Sequence, residues 1–148
     1  MVYVPTSENI PNFQSGEVIK PDYQLSYFEF LLKYATVITG SGGGGTGTYT
    51  IYTVPANSVF YLLSVAVNGW TDVDNTFANL ESVSAGGVQA IIGVRYAAHS
   101  NDSNSMNFSV PLKFNTAEIF QLTVGTGGTG TSTAQIVGLL VPKIHTLP

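Results

Sequence analysis

From Thr48 onward the chain is written in short runs of Thr, Val, Ile, Tyr and Phe, each closed within a few residues by Gly, Asn, Asp or Pro. β-Branched and aromatic side chains suit a pleated, half-buried surface, and the interrupting residues are those that turns demand. No stretch beyond Gly47 repeats its apolar residues at the helical period. An all-β domain follows, with strands expected at 48–54, 58–69, 76–82, 88–96, 106–112, 118–124 and 132–141, and an eighth candidate at 34–39.

Patterning within the strands separates their environments. Met106, Phe108, Val110, Leu112 and Phe114 fall on one face, with Asn107, Ser109 and Lys113 on the other, so this strand should have one wet side. Ser58 to Val67 is apolar on both faces, which suits a strand in the middle of a sheet or one whose outer face meets a neighbour. Pro55 should mark a corner, and Pro111 an edge or a bulge. The expected architecture is an antiparallel two-sheet β-sandwich, and eight strands would make it a jelly roll.

Two other segments precede the sandwich. Three X-Pro steps, at Pro5, Pro11 and Pro21, give the first 23 residues the look of an extended arm. Leu25 to Tyr34 fits neither the strand nor the helix period cleanly, with a short helix favoured. Gly40 to Gly47 reads as a flexible tether or the loose loop of a hairpin. The expected organisation is an arm with an aromatic docking segment at 1–39, a Gly-rich linker at 40–47 and the sandwich at 48–148.

Composition excludes several function classes. The 148 residues carry no Cys, which removes thiol catalysis and cysteine-ligated metal centres. The five cations Lys20, Lys33, Arg95, Lys113 and Lys143 are scattered and the net charge is −4, so nucleic acid, which needs clustered cations, is not an expected partner. The longest apolar runs, 59–67 and 136–141, fall short of the roughly 20 residues of a membrane helix. The first ten residues lack the basic start and apolar core of a secretory signal, so cytoplasmic synthesis is expected. Only 9% of residues are charged and the mean hydropathy is positive, which points to surface covered by other subunits.

The candidate motifs are weak. Gly125 to Gly130 matches G-x-G-x-x-G, but a strand rather than a helix follows it, so a hairpin loop is expected and not a nucleotide site. Asp72, Asp74 and Asn75 offer oxygen ligands in one loop, yet the rest of a calcium loop is missing and a solvated turn is favoured. His99 to Ser105 is a polar loop with one imidazole and one carboxylate but no nucleophile partner. No cofactor, metal or catalytic set is expected, and the chain is read as a non-enzyme. Trp70 with Tyr49, Tyr52, Tyr61 and Tyr96 could form a sugar-stacking platform, though core packing is the favoured use of these rings. The alternative glycan-binding set is therefore Trp70, Asp72, Asp74, Asn75 and His99.

The sharper site lies in the arm. Tyr23, Leu25, Tyr27, Phe28, Phe30, Leu31, Leu32 and Tyr34 crowd into a dozen residues. An aromatic side chain buries about 150–250 Å². At roughly 25 cal/mol per Å² this segment must lie against something, either its own sandwich or a neighbouring subunit.

The segments Thr48 to Val67 and Phe108 to Leu122, with the closing Ala134 to Val141, resemble small jelly-roll virion proteins of tailed bacteriophages: capsid decoration or cement proteins and the β-sandwich domains of head fibres and tail spikes. The resemblance spans about residues 47–141 and is one of texture. It implies a structural role in the virion, as a homotrimer on capsid or tail proteins with an arm that locks to neighbours. It supplies no catalytic residues.

Overall fold

The computed structural model describes residues 33–125 and 129–143. The chain divides at Lys33 into two units, and all described residues but Lys33 belong to the second. Of the arm and its aromatic segment, only Tyr34 among the expected contact residues is described.

Eight strands form: β1 (Thr36–Gly44), β2 (Gly47–Thr53), β3 (Ser58–Thr71), β4 (Thr76–Ser84), β5 (Gly87–Tyr96), β6 (Ser100–Phe114), β7 (Ile119–Gly125) and β8 (Gly130–Pro142). They pair antiparallel in two four-stranded sheets, sheet A in the order β1-β8-β3-β6 and sheet B in the order β2-β7-β4-β5. Successive strands alternate between the sheets except for the β4–β5 hairpin. This order is that of the jelly roll, two Greek keys wound together.

The core lies between the sheets. Phe60, Leu62, Val65 and Val67 of β3 and Ala134 and Ile136 of β8 meet Leu80 of β4, Ile92 and Tyr96 of β5 and Phe120, Leu122 and Val124 of β7. Phe120 takes the edges of two rings, Phe60 at 5.4 Å and Phe114 at 4.6 Å. Such edge-to-face pairs add about 0.5–1.5 kcal/mol each beyond the area they bury.

β3 owes its double-sided apolar text to a bulge. Leu62 pairs with Gly138 and Ser64 with Val137, so Leu63 is an extra residue and the alternation reverses there. Before the bulge, Phe60 and Leu62 face the core while Val59 and Tyr61 face outward beside Val141 and Leu139, and all four of these outward residues are nearly inaccessible. After it, Val65 and Val67 face the core, and the outer face becomes a row of Ser64, Ala66, Asn68 and Trp70.

Three expectations are corrected. Gly40 to Gly44 is strand, not tether: a Cβ at Gly40 would lie 3.1 Å from the Ile51 carbonyl oxygen and one at Gly42 would lie 3.2 Å from the Ile51 side chain, so the missing side chains let β2 pack against β1. The sandwich therefore starts at Thr36 rather than at 48. The β1–β2 and β7–β8 connections, both Gly-rich, pass from one sheet to the other and are not hairpin loops. Finally, the apolar stripe of β6 is broken, because Leu112 stands opposite Leu62 and Asn107 opposite Ser64, leaving residues 108–111 outside the register. Phe108 still packs on the core, but Val110 is 71% exposed. Pro111, as expected, sits in this irregular part of an edge strand.

Candidate interaction site

Alternation between sheets brings the connections β1–β2, β3–β4, β5–β6 and β7–β8 to one end of the sandwich. Trp70, Asp72, Asp74, Asn75 and His99 all lie there. The ring centroids of Trp70 and His99 are 6.4 Å apart. His99 and Asn75 both adopt left-handed backbone, with φ of 60° and 63°, which turn residues with short polar or imidazole side chains tolerate best. The His99 N–H donates to the Thr71 carbonyl at 2.8 Å and the Asn75 N–H to that of Tyr96 at 3.0 Å.

The acids of this end act as clasps between loops. The Thr129 N–H donates to Asp72 Oδ1 at 2.7 Å and its hydroxyl to Oδ2 at 2.6 Å, so both carboxylate oxygens hold the β7–β8 connection. The Thr129 hydroxyl bond is the main cause that holds the Asp72 carboxyl below its ordinary value, and the backbone bond and the nearby His99 add to it. Asp74 Oδ1 accepts the Ala98 N–H at 2.8 Å and so ties the β5–β6 loop to the β3–β4 loop. Beneath them the Thr71 and Thr76 hydroxyls meet at 3.3 Å. Among the described residues, no three His, Asp or Glu side chains gather where they could hold a metal ion.

The aromatic platform does not assemble. Tyr61 and Tyr96 are buried, Tyr52 packs 5.2 Å from Phe60, and the Tyr49 hydroxyl donates to the Gly45 carbonyl at 2.9 Å. Tyr96 lies in the core and Tyr49 and Tyr52 pack against it, while Tyr61 is buried on the outer side of sheet A, the side on which Trp70 stands farther along β3. A cleft of about 250 Å³ lies close by, lined by Asn68, Gly69, Asn101, Asp102 and Ser103. Tyr34 is half-buried.

Two surfaces escaped the sequence reading. One is a set of edges: of the six large apolar side chains exposed among the described residues, Val37 lies on β1, Val88 on β5, and Met106, Val110 and Leu112 on β6, all edge strands, while Val73 lies in the β3–β4 loop. The other is the outer face of sheet B, where Phe77 occupies the polar phase of β4 between Arg95 and Gly125. An aromatic residue out of phase, followed by Asn79 and Glu81, was the available signal.

No protein-family model matches the chain, and no curated protein matches it. Among solved structures, the chain is similar to one titled "Structure of infectious bursal disease virus Gx strain", with a TM-score of 0.44 and 10% identity. The likeness covers 85% of this chain and 36% of that one, so the chain spans about a third of the length of that structure's chain. The fold assignment rests on the strand order itself.

Proposed function

We propose that this chain is a non-enzymatic virion structural protein of a tailed phage, a capsid decoration or cement protein or a head or tail accessory subunit, made in the host cytoplasm and assembled with its own copies and with capsid or tail proteins. The observation that carries the reading is the gathering of exposed apolar side chains on edge strands. Val110 at 71%, Val37 at 63% and Val88 at 55% exposure stand where a sandwich packed side by side with others would cover them. Low charge agrees, since contacts between subunits are depleted of charged residues at their centres. The resemblance in the strand texture adds the phage setting and the trimer. In this reading Tyr23, Leu25, Tyr27, Phe28, Phe30, Leu31, Leu32 and Tyr34 contact a neighbouring copy.

Light scattering of the purified chain, with imaging of its parent particle, tests the proposal. Trimers that bind the particle are expected. Val110→Asp with Leu112→Asp, or removal of residues 1–33, should weaken association at least tenfold while circular dichroism stays β-rich. A monomer that ignores the particle overturns the reading. The alternative of glycan recognition at the loop end instead expects glycan binding that Trp70→Ala abolishes with assembly intact.

A further inference from the structure

The outer face of sheet B holds a cleft of about 330 Å³ lined by Phe77, Asn79, Gly93, Val94 and Arg95. Its shape depends on two glycines. A Cβ at Gly125 would fall 2.1 Å from the Phe77 ring, so the ring leans across β7. A Cβ at Gly93 would fall 2.3 Å from Asn79 Oδ1, so the amide leans the other way, over β5. The Arg95 guanidinium carbon lies 5.8 Å from the Phe77 centroid, and among the described residues the guanidinium has no carboxylate partner.

Aromatic ring, amide and guanidinium on one shallow floor form a specific combination. The ring offers an apolar plane to the C–H face of a pyranose. The amide can both donate and accept toward sugar hydroxyls, and the guanidinium fork matches a carboxylate in a bidentate pair. The volume lies at the low end of small-molecule sites, the size of one or two sugar rings. None of the exposed large apolar side chains lines this cleft, although Gly93, Val94 and Arg95 belong to the edge strand β5. We propose that it binds the carboxylate-bearing sugar, of the uronic or sialic acid kind, of an acidic glycan. The site is independent of Trp70, which belongs to the other sheet.

Titration of the full chain by saturation-transfer NMR and calorimetry, with the methyl glycosides of glucuronic acid and N-acetylneuraminic acid against methyl glucoside, tests this. The acidic sugars should bind and the neutral one should bind at least tenfold more weakly. Arg95→Gln, at an exposed position that leaves the fold alone, should abolish that preference, and Phe77→Ala should lower affinity for all sugars. Gly93→Ala, which displaces the Asn79 amide, should weaken binding severalfold with Phe77 and Arg95 intact. Equal binding of acidic and neutral sugars, no binding of any, or an Arg95→Gln variant unchanged in preference overturns the proposal. Loss of chain association in Arg95→Gln without any sugar effect also overturns it, and makes the cleft a protein contact.

Discussion

Asp72 ties the β3–β4 loop to the β7–β8 connection, because Thr129 fills both of its oxygens. The carboxyl's lowered pKa links this clasp to pH. A group that holds its proton less tightly when folded contributes stability above its unfolded value, here near 3.8, and loses it as pH falls through the lower folded value. Calorimetry of the wild type and Asp72→Asn from pH 7 to about pH 2.5 should show a gap in melting temperature that is constant above about pH 5 and closes below 3.8. A gap that persists unchanged in acid would mean that the bond to Thr129 does not favour the ionised form. That Asp72, Asp74 and Asn75 share a loop was legible in the sequence, since they are neighbours. Their partners were not, because Thr129 is 57 positions away in a Gly-rich run that advertises only freedom of the backbone.

At the scale of elements, period-two alternation and turn residues found a piece of each of the eight strands, because that signal is local, but not their extents: Ser100–Ser105, read as a polar loop, is the first part of β6, and Gly40–Gly44 the last part of β1. What it missed was non-local. A two-residue link such as Gly45-Thr46 looks the same whether its strands pair with each other or lie in opposite sheets, and only the registry of β1 with β8 and of β2 with β7 tells them apart. The Gly40 to Gly44 run misled for a related reason: its glycines answer to Ile51, Tyr49 and Ser132, side chains and backbone brought there by the rest of the fold. Gly43 shows the difference sharply. Its φ of 154° and a Cβ that would fall 2.0 Å from the Ser132 carbonyl oxygen leave no room for a methyl group. Gly43→Ala should therefore destabilise the domain by about 2–4 kcal/mol in urea unfolding. At Gly45, where a Cβ would meet nothing nearer than 3.6 Å, the same change should stay within about 0.5 kcal/mol. Equal effects at the two positions would restore the tether reading.

For the whole molecule, the proposed contacts are apolar and the charges few, so association should owe little to Coulomb attraction. Raising salt from about 0.05 to about 0.5 M shortens the screening length severalfold. The oligomer distribution in light scattering should hardly change across that range, and dissociation by salt would place charged groups, not the edge-strand valines, in the contact. The jelly-roll class was legible from strand number and spacing, but the docking surfaces were not, since exposure of Val110 or Val88 depends on which strands end up at the margins of their sheets.

The supernumerary Leu63 has a consequence for how this sandwich could be altered. It works as a phase shifter between two reading frames of one strand: upstream, oily groups point both ways, and downstream only one way, with the indole of Trp70 turned to water. Excising that one residue would leave Leu62 and Ser64 opposite the successive positions Gly138 and Val137, so Val65 and Val67 would stay inside and Trp70 outside, whereas taking Ser64 with it would turn the downstream half over; the strand should bear the loss of Leu63 but not of the pair.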